Sequence, residues 1–487
     1  MYVEAHTALE GRRAVVKTQP QRVTDTVIVK LRTTEPTQRR FAAAVAAIDA
    51  GREAPETLLL EALQKRGHVG RFTPIFGAAD DADTPATRAV RGARIMAAAI
   101  EPRPTSRVKH ALGLMAVEVT RGTDAADLAR HLTELGSDIE YAYVPAIKHP
   151  LVPAGGRGRG GGHRGGGGAT GRGGGKAGGG GGQRAGRAGR RRPAGDGDTL
   201  GARQWNHGVV QIAAARASSG FVDANNVKVA VVDTGVDLTH PDLHNVVVEY
   251  ENFLKRSEAD KDFIGHGTHV IGILAAVTGN NLGIAGLCKT QIYAAKGLPK
   301  PGAPFNAQQY LRAVGYALDV QAQVVNMSLG GGYDPGEEAV IQDLLDAGII
   351  VVAAMGNEFL MGNATSYPAA YKDVIAVGAT DETDRRADFS CTGEHIALCA
   401  PGVRILSTVP MYPSAFAQQV EYDAWPGTSM AAPHVAAAAA LLLANNGDLK
   451  PQEVRRKLLK SADKVPGQKK FDNEHGAGRL NIAKALA

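Results

Sequence analysis

The stretch that most constrains this chain is Gly427-Thr428-Ser429-Met430-Ala431-Ala432-Pro433-His434-Val435, which runs on as an unbroken apolar series to Ala444. A series of this kind, with no polar face, reads as a helix buried on all sides, so it demands a large core around it. Thr428 and Ser429 then stand at the mouth of that helix. Unpaired backbone N–H groups and the helix dipole favour negative charge there. Ser429 could be a nucleophile whose oxyanion product meets a positive end. Equally, Thr428 or Ser429 could cap the helix, which is the commoner use of such residues.

Two further stretches bear on that choice. Val227-Lys-Val-Ala-Val-Val232 is an apolar run ending in Asp233-Thr234-Gly235, and His266-Gly267-Thr268-His269-Val270 opens a second helical run through Ala276. A serine hydroxyl is a poor nucleophile until a histidine takes its proton, and the histidine needs a carboxylate to orient it. Asp233, His266 and Ser429 lie in the chain order Asp, His, Ser, each on its own glycine-containing motif. With the GTSMAAPHVA stretch, this part of the chain resembles the catalytic domain of subtilisin-like serine proteases (subtilases), from about Gln204 to Ile482.

The expected fold class is α/β. Apolar strand patterns at Val227–Val232, Gln291–Ala295, Val324–Met327, Ile349–Ala354 and Val374–Val377 alternate with helical ones, indicating a parallel sheet covered on both faces by helices. Sites in such sheets lie at the carboxyl ends of strands. Asp233, Ser328 and Asn357 each follow such an end, so several stretches point to one face.

Three units are expected: residues 1–150, 151–199 and 200–487. The first reads as a small α+β domain. Strand patterns at Thr26–Leu31, Phe72–Phe76, Gly113–Thr120 and Ile139–Val144 interleave with helical ones at Arg39–Ala50, Glu56–Lys65 and Asp124–Leu135. Their order suggests a ferredoxin-like layout. Subtilisin-like zymogens carry such a prodomain. The resemblance therefore implies an intramolecular inhibitor whose tail, near Pro145–His149, enters the active-site cleft, with a maturation cut between about Lys148 and Thr199. An unrelated binding domain is the alternative.

The second unit explains a misleading charge. The chain of 487 residues carries a formal +6, but ten Arg/Lys and no acid fall between Gly155 and Pro193. The remainder has 45 basic against 49 acidic residues. Gly/Arg-rich low complexity cannot bury apolar surface and is expected to be a disordered tether. Arg-Gly segments attract phosphates, so nucleic acid is a conceivable partner here. The absence of aromatic residues between the arginines removes the stacking platforms such binding uses. A nucleic-acid or protein-binding module is the second function class, set against an active endopeptidase acting on extended polypeptides. No run approaches the ~20 apolar residues that span a bilayer. No basic-then-apolar leader is visible, so the cytoplasm is expected, or secretion of a form whose signal is not in this sequence. Cys288, Cys391 and Cys399 form no metal-ligand or disulfide pattern and are expected to be buried thiols.

The resemblance assigns further roles. Ser429 is the nucleophile, His266 the general base and then acid, and Asp233 the orienting carboxylate. His269 and Asp237 are the nearby rivals, more in keeping with packing and turn roles. Asn357 matches the asparagine that helps bind the tetrahedral oxyanion. Ser328, Leu329 and Gly330 would pair with an extended peptide as an added strand. Together with Ala354, Gly356 and Ser366 they would wall the pocket for the residue before the cut, with a preference there for medium or large apolar side chains. Asp242 and Asn280, with carbonyls near Val277, Leu282 and Ile284, resemble a calcium loop. The glutamine that completes it would fall near Arg203 or Gln204. Calcium (Ca2+) would be structural, with no part in the chemistry.

Overall fold

A computed structural model describes residues 26–32, 69–74, 114–119, 124–134, 139–151, 197–254 and 260–487. The helical patterns at 39–50 and 56–65, the Ala/Arg-rich stretch near 87–100 and nearly all of the Gly/Arg-rich segment lie outside these residues.

In the N-terminal part, β1 (Thr26–Leu31), β2 (Val69–Pro74), β3 (Leu114–Val119) and β4 (Ile139–Tyr143) form one sheet in the order β2-β3-β1-β4. All its pairings are antiparallel. Both the order and the Ala125–Glu134 helix fit the ferredoxin-like layout. Leu128 and Leu132 of that helix are buried on one face, one turn apart. On the sheet, Ile28, Leu114 and Ala116 join the same buried cluster as Leu311, Val314 and Val340 of the following domain. The two parts thus share apolar core.

After Tyr143 the chain runs on as β5 (Lys148–Pro150). The larger domain is built on seven parallel strands: β6 (Lys228–Asp233), β7 (Val247–Asn252), β8 (Gln291–Lys296), β9 (Val324–Met327), and, after the short β10 (Leu329–Gly331), β11 (Ile350–Ala354), β12 (Ile375–Thr380) and β13 (Ile396–Pro401). Their order is β13-β12-β11-β9-β6-β8-β7. β14 (Ile405–Val409) and β15 (Glu421–Trp425) make a separate antiparallel pair. The near-continuous apolar runs are explained by burial on both faces. Val229 and Val231 belong to one buried cluster, Ala230 and Val232 to the other.

The Thr428–Asn445 helix is buried along almost its whole length, against the sheet and the His266–Ala275 helix. It has the length and composition of a membrane span, yet its apolar surface is met by core. The three cysteines are free and buried.

Candidate active site

β6 lies between β9 and β8, with the later strands on one side and β8 and β7 on the other. Its carboxyl end is therefore where the winding of the sheet diverges and a crevice opens. Asp233 is the last residue of β6, and its Oδ1 lies 2.7 Å from His266 Nδ1. The carboxylate can only accept, so Nδ1 carries the proton and Nε2 holds the lone pair in the neutral ring. Nε2 is buried without a hydrogen-bond partner among the described residues.

His266 opens its helix after Gly265, and two features fix that helix against β6. A Cβ on Gly267 would come within 2.1 Å of the Gly235 carbonyl, so only glycine allows this approach. Asp262, fully buried, accepts from Thr234 Oγ1 (2.7 Å), Gly265 N (2.8 Å), Thr268 N (2.9 Å) and Thr268 Oγ1 (2.8 Å). It ties the Asp233 turn to the first turn of the His266 helix. Sequence reading passed over Asp262, because its link to the Asp233 turn runs through Thr234, 28 residues away. Burial lifts its carboxyl above the usual range, against the pull of these donors.

His269 occupies a different setting. Its ring stacks on Trp425, centroids 4.6 Å apart and 3° from parallel, and Nε2 lies 3.2 Å from the Asp423 carbonyl. Burial pushes its pKa down to about 3, so the ring is neutral at ordinary pH. Asp237 is spent on Thr239 N (2.9 Å), Thr239 Oγ1 (2.7 Å) and Met411 N (2.8 Å).

Ser429 lies in the first turn of its helix. Pro433 has no N–H to give to the carbonyl four residues before it. That carbonyl belongs to Ser429, and Ser328 Oγ donates to it at 2.8 Å. Asn326 Nδ2 in turn donates to Ser328 Oγ (2.9 Å). Ser429 Oγ donates to the Ser328 carbonyl at 2.8 Å and accepts from Leu151 N at 3.1 Å. The hydroxyl is therefore turned to Ser328 here rather than to His266.

Asn357, shortly after β11, donates its Nδ2–H to the Leu151 carbonyl. Its Oδ1 accepts from Thr428 N (3.0 Å) and Thr428 Oγ1 (2.9 Å), which fixes the amide so that the donor end faces the cleft. Thr428, treated in the sequence as a cap candidate, thus orients Asn357. Gly427 completes the cradle: a Cβ there would sit 2.7 Å from the Leu151 carbonyl oxygen.

The chain's own tail fills this cleft. β5 pairs antiparallel with β10, in the register Lys148–Gly331, His149–Gly330 and Pro150–Leu329. Leu151, the residue after β5 and one past the boundary expected at 150, is 1% exposed. Its side chain reaches toward Gly330, beside Ser366 Oγ. Of the residues expected to wall the pocket, Ser328, Leu329, Ala354, Gly356 and Ser366 are buried and Gly330 sits on β10.

The expected calcium loop is arranged differently. Asp242 Oδ1 accepts from Asn280 Nδ2 (2.7 Å), and Oδ2 accepts from Ile284 N (2.9 Å) and Tyr422 OH (2.9 Å). Asn280 Oδ1 is held by Leu282 N at 2.8 Å, so its amide cannot simply be reversed. Gln204 is bonded through both amide ends to the backbone of Ala285. A divalent cation needs oxygens facing it, whereas N–H and O–H groups face Asp242. In this arrangement these residues do not present the oxygens of a calcium shell, and Asp242 is a hydrogen-bonded carboxylate.

A carboxylate-held imidazole, a serine at a helix mouth and an amide donor, at the carboxyl end of a parallel sheet, are the parts from which a Ser-His-Asp hydrolase site would be built. The model of the subtilase family matches residues 224–478. The chain is 40% identical over 262 residues to the thermophilic serine proteinase of Bacillus sp. (strain AK1), covering 53% of this chain and 61% of that protein. It is 37% identical over 269 residues to thermitase of Thermoactinomyces vulgaris, covering 55% of this chain and 90% of thermitase. It spans 31% of the cell wall-associated protease of Bacillus subtilis (strain 168), at 39% identity. The chain belongs to the subtilase family of serine proteases. The crystal structure of fervidolysin from Fervidobacterium pennivorans, described as a keratinolytic enzyme related to subtilisin, aligns with a TM-score of 0.64 at 21% identity. That alignment covers 96% of this chain and 61% of fervidolysin and speaks to the fold alone.

Proposed function

We propose that the chain is a serine endopeptidase made as a self-inhibited precursor, and that the bond after Leu151 is the one it cuts first. The observation that carries this reading is the placement of Leu151. Its carbonyl accepts from Asn357, its amide donates to Ser429 Oγ, and the three residues before it pair with β10. This is how an extended substrate would lie.

The steps follow from the atoms. Rotation about the Ser429 Cα–Cβ bond takes Oγ from the Ser328 carbonyl to the unpartnered His266 Nε2. Oγ attacks the Leu151 carbonyl carbon while its proton passes to Nε2. Asp233 steadies the imidazolium through Nδ1–H. The carbonyl oxygen becomes an oxyanion held by Asn357 Nδ2–H. Nε2 then gives its proton to the departing amine, the C–N bond breaks, and water releases the acyl group by the same route. The N-terminal sheet, sharing core with the larger domain, would hold the cut tail in the cleft as an inhibitor. Medium or large apolar side chains are preferred before the cut, as Leu151 is.

The test is N-terminal sequencing of the full-length chain after incubation, beside Ser429→Ala. A fragment beginning at Val152 in the wild type and an intact Ser429→Ala chain are expected. Cleavage that persists in purified Ser429→Ala would remove the serine from its role.

A further inference from the structure

We infer that Glu337 forms the floor of an acidic pocket that selects lysine at the fourth position before the cut bond. The inference rests on the protease reading above and adds a specificity to it. Lys148 is three residues before Leu151, and its Nζ lies 2.6 Å from Glu337 Oε2. Both side chains are sealed from water, at 1% and 0% exposure. Nζ also donates to the Gly332 carbonyl at 2.8 Å and the Tyr367 carbonyl at 3.2 Å. An ammonium has three N–H donors, and three acceptors meet them. A guanidinium is longer and carries five donors in a planar fork, which this set does not match. The chemistry therefore favours lysine over arginine.

The catalytic domain builds this pocket. Glu337 stands in the first turn of the Pro335–Asp346 helix, whose N-cap is Asp334. Tyr310 OH donates to Glu337 Oε1. Tyr371 OH lies 2.9 Å from Oε2 and 2.8 Å from the Asp334 carbonyl, which compete for its single proton. The carboxylate is thus held by side chains from two other segments. Burial raises the Glu337 pKa and the Lys148 charge opposes that rise. An apolar side chain in this pocket would leave a buried carboxyl without its cation. Such mismatches are costly, while an ion pair replaced as a whole by apolar groups is tolerated.

The experiment uses enzyme from full-length expression, left to process, and peptides of the form Xaa-His-Pro-Leu-Val with Xaa as Lys, Arg, Leu or Glu. Cleavage after Leu should be faster for Lys than for Leu by upwards of about 150-fold in kcat/KM, the kinetic equivalent of a broken buried pair. Arg should fall between them and Glu should be the slowest. E337L should reverse the order of Lys and Leu, a switch that a purely structural role would not produce. In the full-length chain, K148L alone should slow self-cleavage, and K148L with E337L should restore it. If E337L does not fold, the wild-type panel still decides. Equal rates for Lys and Leu would overturn the pocket assignment and leave the protease reading standing. Cleavage of none of the peptides by enzyme from which the N-terminal part has been lost, as N-terminal sequencing of the purified protein reads, would overturn both.

Discussion

Thr428 offers the sharpest test of how Asn357, the proposed oxyanion donor, is held. Its N–H and Oγ1–H both donate to Asn357 Oδ1, at 3.0 and 2.9 Å, and this leaves Nδ2 aimed at the Leu151 carbonyl. Replacing Thr428 with valine keeps the shape and the backbone donor but removes Oγ1. A neutral hydrogen bond is worth about 0.5–1.5 kcal/mol net. If all of that is lost from the transition state, kcat falls about 2- to 12-fold. Asn357→Ala removes the oxyanion donor itself, which in such sites costs about 10²–10³ in kcat. The two losses should not add. With Asn357 gone, the Thr428 hydroxyl has no amide to orient, so Thr428→Val in the Asn357→Ala background should change kcat by less than about 2-fold. The assay is kcat and KM for a Lys-His-Pro-Leu substrate with a chromogenic leaving group, in all four proteins, with melting curves alongside. KM should stay nearly constant, because the interaction strengthens as charge develops on the oxygen. Gly356 N also loses a 3.2 Å acceptor, Thr428 Oγ1, and the melting curves would register that loss. An equal fall in kcat in both backgrounds would refute the reasoning, since Thr428 would then act on the helix mouth rather than through Asn357.

Two further expectations concern stability and are best measured in Ser429→Ala, where self-digestion is absent. Burial pushes His269 and His434 down to about 3 and about 4, from 6.5 when unfolded, so the unfolded chain takes up protons that the native one refuses. Stability should be full above about pH 6.5 and fall toward pH 4, with a slope approaching about 3 kcal/mol per pH unit for the two groups; a melting temperature constant from pH 7.5 to 5 would count against this. Asp242→Ala strands the Asn280, Ile284 and Tyr422 donors and should cost about 1–3 kcal/mol. The loss should be equal in excess calcium and in chelator, and a difference between the two would return an ion to that carboxylate.

What the sequence disclosed and what it hid differ by how local the cause is. Asp233, His266 and Ser429 each sit on a short motif whose glycines answer to an immediate steric demand. Gly267 meets the Gly235 carbonyl and Gly427 meets Leu151, so those motifs can be read residue by residue. The strands of the sheet interior are legible because burial on both faces leaves one unbroken apolar run. β7 escaped notice because it is the edge strand, with Glu249 paired to Tyr316 and Glu251 exposed. The β14–β15 pair is joined by a long connection, which hides a hairpin from any local signal.

Charged residues were the hardest to read, and for one reason. An acid in a helix first turn, as Glu337 is, reads from sequence as a solvated partner of the dipole. Its burial depends on Tyr310, Tyr371 and Lys148, which lie 27, 34 and 189 residues away. Asp262 is the same case, held by groups 28 and 6 residues distant. Asp242 shows the converse. Its motif suggests a cation, but Tyr422, 180 residues on, brings a hydroxyl to the carboxylate. The fate of a buried carboxylate is decided by which partner the fold brings to it in three dimensions: a metal, a tyrosine or a lysine. In this fold that choice separates a structural anchor at Asp242 and Asp262 from a pocket at Glu337 that reads the substrate.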